Sequence, residues 1–240
     1  MKILQLNNCP ILNQLQIEEA LLRADQDNWC ILNSGTTPAV VFGISGKPEI
    51  HLDAIEYPKN PLPLIRRFSG GGTVVADENT LFVTFICNGK DTGVSCCPQK
   101  ILAWTEEFYK PIFEHPEFRA RENDYVIGEK KFGGNAQYLC RDRWLHHTSF
   151  LWSYDPAVMK LLAIPSKQPA YRKNRAHEEF LVSLKEFLPV KEDLFERIKL
   201  KLGGRVFQLE EISGLLDRQH RKATQEIKNA YPCTSQQGRQ

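Results

Sequence analysis

The sequence predicts an α+β fold: a mixed β-sheet core with flanking helices, followed by a short helical C-terminal tail. Three observations carry this. Short β-branched and aromatic runs bounded by Gly, Asn, Asp or Pro dominate the first two thirds of the chain. Only two stretches within them have helical periodicity. After residue 154 the pattern becomes helical, in several separate stretches.

The elements follow in order. Strands are expected over Lys2–Leu6, Trp29–Asn33, Ala39–Gly43, Leu64–Phe68, Thr73–Ala76 and Thr80–Cys87. A helix over 11–24 carries Ile11, Leu12, Leu15, Ala20 and Leu22 on one stripe. A second, over 98–113, starts at Pro98, a residue suited to the first turn, and carries Ile101, Leu102, Trp104, Phe108 and Ile112. Strands return at Asp124–Ile127, Lys131–Ala136 and Trp144–Leu151, the first two joined by a tight turn at Gly128-Glu129. Helices are expected over 155–162, 176–187 and 191–202, a break at Gly203-Gly204, and a last helix from Glu210 to Asn229. The end, Thr234–Gln240, reads as frayed.

The 240 residues are 42% hydrophobic and 25% charged, the profile of a globular protein with enough chain for a full core. A net charge of +2 argues against a general polyanion binder, so no nucleic acid partner is expected. No apolar run approaches the ~18 residues of a membrane span. The start turns polar too early for a signal peptide, which points to a cytoplasmic protein. Seven cysteines at positions 9, 30, 87, 96, 97, 140 and 233 show no metal-ligand spacing and read as reduced thiols.

Three stretches carry chemistry. In Arg66-Arg67-Phe68-Ser69-Gly70-Gly71-Gly72-Thr73-Val74-Val75, three consecutive glycines between strands suit a backbone that approaches an anion closely. The arginines add charge suited to phosphate or carboxylate. A glycine-rich hairpin with surface arginines is the alternative. The loop is neither a Walker loop nor a dinucleotide fingerprint, because no Gly-Lys-Ser/Thr and no helix follow. In the second stretch, Arg121 through Gln137, Asp124 is a candidate Mg²⁺ ligand. Lys131 stands among Gly133, Gly134 and Ala136, which would let a ligand lie along its stem, where it could steady charge in acyl transfer. Solvated turn charges are the alternative. In the third, Trp144–Trp152, His146 and His147 must face opposite ways in a strand, so at most one enters a site. Cys140 with His147 could in principle form a covalent acyl-enzyme, or Cys140 is an ordinary thiol.

The order and spacing of these stretches resemble the lipoate–protein ligase A family, within the wider biotin/lipoate ligase group. The family pattern is Arg-Arg-x-Ser-Gly-Gly-Gly, then Asn-Asp, then Lys-x-x-Gly-x-Ala, then His-His-Gly-Thr. The first three stand here intact, and the resemblance covers roughly residues 1–185. It implies a biotin/lipoate ligase-like catalytic domain over 1–187, with 188–240 as a short helical tail and no full accessory domain. It implies that Arg67, Gly72, Thr73, Val74 and Val75 bind ATP, and that Lys131 contacts both ATP and lipoate as the essential lysine. It places lipoate against Gly70, Gly71, Lys131, Gly134, Ala136 and His147, and a metal- and nucleotide-associated acid at Asp124. Pro38–Gly43 looks like the strand lining the acyl pocket, and Phe42, Phe68 and Phe132 are candidates to pack the dithiolane tail. The fourth element departs: His146-His147-Thr148-Ser149 lacks the glycine.

The implied reaction activates lipoate with ATP and Mg²⁺ to lipoyl-AMP, then transfers the acyl group to a lysine of a lipoyl domain. The family's acceptors are the acyltransferase subunits of 2-oxoacid dehydrogenases and the glycine cleavage H protein, and some members need a separate accessory chain. The rivals are an octanoyltransferase using a Cys140 thioester, a lipoyl-AMP transferase, and a silent relative that only binds. Gly71→Val is expected to cripple nucleotide binding while sparing the fold, because a side chain would enter the phosphate cradle.

Overall fold

A computed structural model describes residues 1–228. The strands are β1 (Lys2–Asn7), β2 (Trp29–Ser34), β3 (Ala39–Phe42), β4 (Leu64–Arg66), β5 (Val74–Ala76), β6 (Thr80–Asn88), β7 (Phe118–Arg121), β8 (Asp124–Ile127), β9 (Lys130–Cys140), β10 (Arg143–Leu151), β11 (Val206–Phe207) and β12 (Gln225–Glu226). Eight form one sheet in the order β11-β1-β2-β6-β10-β9-β8-β7, and four form a second in the order β12-β4-β3-β5. Both are mixed: β1 runs parallel to β2 and β11, and β3 parallel to β4, while the remaining pairs are antiparallel. The α+β expectation holds.

Three longer helices cover the sheets: α1 (Ile11–Ala24), α2 (Pro98–Phe113) and α3 (Asp193–Leu202). Strand alternation splits the large sheet into two faces. One presents Phe85, Tyr125, Phe132, Trp144 and Phe150 to Ile101, Phe108, Tyr109 and Ile112 of α2 and to Leu194 and Ile198 of α3. The other presents Leu4, Ile31 and Leu145 to Ile17 and Leu21 of α1. The start of α1 turns Ile11 and Leu15 to Val41, Ile65 and Ala76 of the small sheet. Thus α1 is wedged between the sheets, which brings the β4–β5 loop over the α1 face of β9. No helix among the described residues is long and apolar enough to cross a membrane.

The region past 154 is less helical than its pattern suggests, and the reason each time is a tertiary partner that claims the backbone. The 155–162 helix is only Pro156–Met159, because Leu162 bridges to Leu52. The 176–187 segment is two single turns, His177–Phe180 and Leu184–Glu186. Between them Leu181 bridges to Lys131, and the Val182 N–H donates to the Lys131 carbonyl at 2.9 Å. The expected last helix ends at Leu216. The chain then runs extended, because the Glu19 carboxylate accepts the Ala223 and Thr224 amides and β12 pairs with β4. The tail thus contributes a strand to each sheet as well as α3. Asn229, Cys233 and the end, Thr234–Gln240, lie outside the described residues.

Candidate active site

The glycine loop is shaped by a buried arginine. Arg67, 4% exposed, donates from its guanidinium to the carbonyls of Gly70 (3.0 Å) and Gly72 (2.7 Å). Burial pulls its pKa down to about 10, and the charge of Glu18 opposes that fall. The backbone is pinned as well: the Gly70 N–H donates to Gln137 O and the Ile44 N–H to Ser69 O. Gly71 has φ +111°, where a side chain is strained. A Cβ on Gly43 would stand 2.3 Å from the Gly71 carbonyl oxygen, so the end of β3 requires glycine to meet the loop. The loop leaves donors to spare. Among the described residues the amides of Gly71, Gly72 and Thr73 have no acceptor. The hydroxyls of Ser69 and Thr73 are buried without a partner. Free amides in a turn of this kind form an anion nest.

Two sequence expectations change here. Arg67 spends its donors on the loop's own carbonyls, so it shapes the cradle rather than facing into it. A Cβ on Gly71 would stand 2.6 Å from Arg67 Nη2, so a substitution breaks the loop's scaffold instead of sparing the fold. Val75 is buried against Val40, Phe42 and Leu64, leaving its backbone alone to serve a ligand.

Lys131 and Asp124 meet across the β8–β9 hairpin, whose turn glycine Gly128 has φ +58°. By simple alternation Lys131 and Gly134 should lie on opposite faces. A register shift between Tyr125 and Val126 resolves this: the bulge adds one residue, so Phe132 and Gly133 both turn to the α2 core while Lys131 joins Gly134. Lys131 Nζ lies 2.7 Å from Asp124 Oδ1, and the Tyr171 hydroxyl donates to Asp124 Oδ2 at 2.8 Å. A Cβ on Gly134 would stand 3.1 Å from Lys131 Nζ, which explains the glycine.

The two histidines face opposite ways, as alternation requires. His146 lies on the α2 face, hydrogen-bonded to Tyr125 and Gln137, and burial pushes its pKa down to about 3. His147 lies on the α1 face with Nδ1 2.9 Å from Glu18 Oε1 and 3.0 Å from the Thr84 hydroxyl. Gln14 donates to Glu18 and Asn33 to Gln14, a buried polar chain reaching from β10 through α1 to β2. Glu18, Thr84, Tyr171 and Arg172 were missed by sequence reading. The signal for Glu18 was present: a carboxylate one helical turn after Gln14, facing the same way, among the apolar positions of α1.

These parts form one surface. Ala136 pairs with His147 and Gly134 with Ser149 across β9 and β10, and Gly71 packs on the Asn135 carbonyl and Ala136. Lys131, Gly134, Ala136 and His147 thus line a strip beneath Gly70–Gly72. Phe42, Phe68 and Phe132 do not converge on it; they are buried in three separate clusters. Cys140 is exposed at the far end of β9. It pairs with Arg143, four positions from His147, roughly 13 Å along the strand. The Cys–His pair is not assembled. Among the described residues no three His, Cys, Asp or Glu side chains gather as a metal site. Asp124 offers one carboxylate, with both oxygens already hydrogen-bonded.

Comparison with known proteins agrees with this geometry. The lipoyl protein ligase A/B catalytic domain family matches residues 10–201, and the chain belongs to that family. The Plasmodium falciparum protein named inactive lipoate–protein ligase 2 is 33% identical over 199 residues, covering 68% of this chain and 51% of the relative. The chain therefore spans about half the length of the curated relatives it matches. Among solved structures, a lipoate-protein ligase A bound with ATP superposes with a TM-score of 0.71 at 18% identity, covering 90% of this chain and 92% of that one. The bipartite lipoate protein ligase of Thermoplasma acidophilum, solved in a study of that ligase and its E2 lipoyl domain, gives 0.70 at 19%, with 90% and 89% covered. These two likenesses establish the fold.

Proposed function

We propose that this chain is an ATP-dependent lipoate–protein ligase. The observation that carries the reading is the strip that runs from Lys131 to His147 beneath a loop with three free amides. It combines a cation, an anion nest and a closed polar end within one site. The loop amides and the Ser69 and Thr73 hydroxyls hold the phosphates of ATP, in a cradle that Arg67 shapes through Gly70 and Gly72. Lys131 sits where the acyl carboxylate meets the α-phosphate and steadies the negative charge on both. The carboxylate attacks the α-phosphorus, giving lipoyl-AMP and pyrophosphate. The acceptor lysine's amine then attacks the acyl carbon and releases AMP. Lipoate lies along Gly70, Gly71, Gly134 and Ala136 towards His147, which Glu18 and Thr84 orient.

Mg²⁺ would enter with the nucleotide, since such an ion takes one or two carboxylates and fills its shell with phosphates and water. The one carboxylate at hand, Asp124, has its oxygens taken by Lys131 and Tyr171, so it does not fit as a direct ligand, and the ion would be held by phosphates and water. When bound, the ion would neutralise phosphate charge. Residues 1–187 are the catalytic domain and 188–240 a tail, of which the described part, to residue 228, braces both sheets. The acceptors are lipoyl domains of 2-oxoacid dehydrogenase acyltransferase subunits and the glycine cleavage H protein, in the cytoplasm. The bipartite neighbour supports a separate accessory chain as a further partner.

One second reading has an observation behind it. The 33%-identical relative is named inactive, which favours a chain that binds lipoate or lipoyl-AMP without activating it. The octanoyltransferase reading loses support from the placement of Cys140. ATP–pyrophosphate exchange dependent on lipoate separates the ligase from the readings without activation, a silent relative or a lipoyl-AMP transferase. Exchange supports the ligase. Absence of exchange, with tight lipoate binding, supports the silent relative.

A further inference from the structure

Lys131 is not free in this structure. Its ammonium is paired with Asp124 at 2.7 Å, yet the ligase reading, on which this inference rests, needs it on the acyl carboxylate and phosphate. Turning away would strip one oxygen of a carboxylate whose side chain is only 10% exposed, and a buried charge left uncompensated is costly. The segment that covers the hairpin holds what is needed to offset this. Tyr171, 1% exposed, already donates to Asp124 Oδ2. The next residue, Arg172, is 5% exposed, and its Nη2 is buried without a partner among the described residues. Its Nε donates to the Arg175 carbonyl, and its guanidinium packs 4.8 Å from the Phe180 ring centroid. Its charge feels Asp124 directly, which counters part of the effect of its burial.

A buried guanidinium with a spare donor, next in the chain to the tyrosine that already holds this carboxylate, is a built-in replacement for the departing cation. We propose that Tyr171 and Arg172 are positioning residues that hold Asp124 while Lys131 passes from Asp124 to the acyl substrate. The segment is fixed for the task. The Val182 N–H bonds the Lys131 carbonyl, the Arg175 guanidinium bonds the Tyr171 carbonyl at 2.9 Å, and Arg121 lies 4.6 Å from the Tyr171 ring centroid. Lys131, Arg121, Arg175, His177 and Glu122 are other charged or titratable groups around it.

The test is the lipoate-dependent ATP–pyrophosphate exchange of the full chain, with wild type, Arg172→Gln, Arg172→Lys, Tyr171→Phe, Asp124→Asn and the Asp124→Asn/Arg172→Gln double variant. Arg172→Gln should lower kcat about tenfold with the KM for lipoate moved less than about threefold, and Arg172→Lys should recover most of the loss. The double variant should be no slower than Asp124→Asn alone, because Arg172 acts only through Asp124. If Arg172→Gln melts early, Tyr171→Phe carries the same expectation of lowered kcat at near-constant KM. Arg172→Gln within about twofold of wild type, or losses that multiply in the double variant, overturns the proposal. A wild type without exchange overturns the ligase reading, and this inference with it; an active wild type with indifferent variants overturns the inference alone.

Discussion

Adding one methyl group at Gly71 should cost stability that the same addition at Gly72 does not. At Gly71, alanine must adopt φ +111°, a strain of about 1–3 kcal/mol. Its Cβ would stand 2.6 Å from Arg67 Nη2, so the guanidinium must withdraw from the carbonyls of Gly70 and Gly72. Each such charged hydrogen bond contributes about 1.5–3 kcal/mol. Keeping one of the two by partial relaxation gives a loss of about 2.5–6 kcal/mol, or a Tm lower by about 5–24 °C for a chain of this size. At Gly72 an added Cβ meets nothing within 4 Å, so Gly72→Ala should stay within about 0.5 kcal/mol of wild type. Its methyl group would nonetheless stand beside the free amides, and the affinity for ATP by titration calorimetry should fall about tenfold. Thermal melts of both variants decide the matter. A Gly71→Ala protein melting with wild type would refute the claim that Arg67 and the glycine conformation build this loop together.

Other predictions follow from the same geometry. Lys131→Met should slow lipoate adenylation by about 10²–10³-fold, read by pyrophosphate exchange, and a loss under threefold would contradict the site. Cys140→Ser should keep activity within about twofold, since the thiol lies far from the strip; loss of acyl transfer would revive the thioester route. His146 has a pKa of about 3 when folded against 6.5 in the unfolded chain, so its contribution is complete above pH 6.5 and is lost as pH falls towards 3. In that window the unfolded chain binds the extra proton, and stability drops by up to about 1.4 kcal/mol per pH unit. His177, held at about 4, adds to the same trend between 6.5 and 4. Urea unfolding at stepped pH should show a shallower acid slope in His146→Gln than in wild type.

The sequence was most legible where local rules decide. The alternating runs placed the central strands, Gly128 the hairpin, Pro98 the start of α2, and strand alternation the opposed histidines. It was least legible where partners distant in sequence decide. No pattern announces that Glu19 will accept the amides of residues 223 and 224 and hold the tail extended on α1. The bulge that brings Lys131 to Gly134's face depends on how Tyr125 and Phe132 pack, which parity alone contradicts. Arg67 was legible as a charge, but its burial, and therefore its task of holding carbonyls, depends on α1 and β3 closing over it. Tyr171 and Arg172 lie between the expected helices 155–162 and 176–187, and only the placement of that segment over the hairpin gives Tyr171 its partner in Asp124.

The central claim is that this chain both activates lipoate and transfers it. Intact-mass measurement of a purified lipoyl domain, incubated with the chain, lipoate and Mg²⁺, with and without ATP, tests it most directly. The account predicts a gain of one lipoyl group only when ATP is present. No gain with ATP, alongside a gain when lipoyl-AMP is supplied instead, would contradict it and leave a transferase on the same fold.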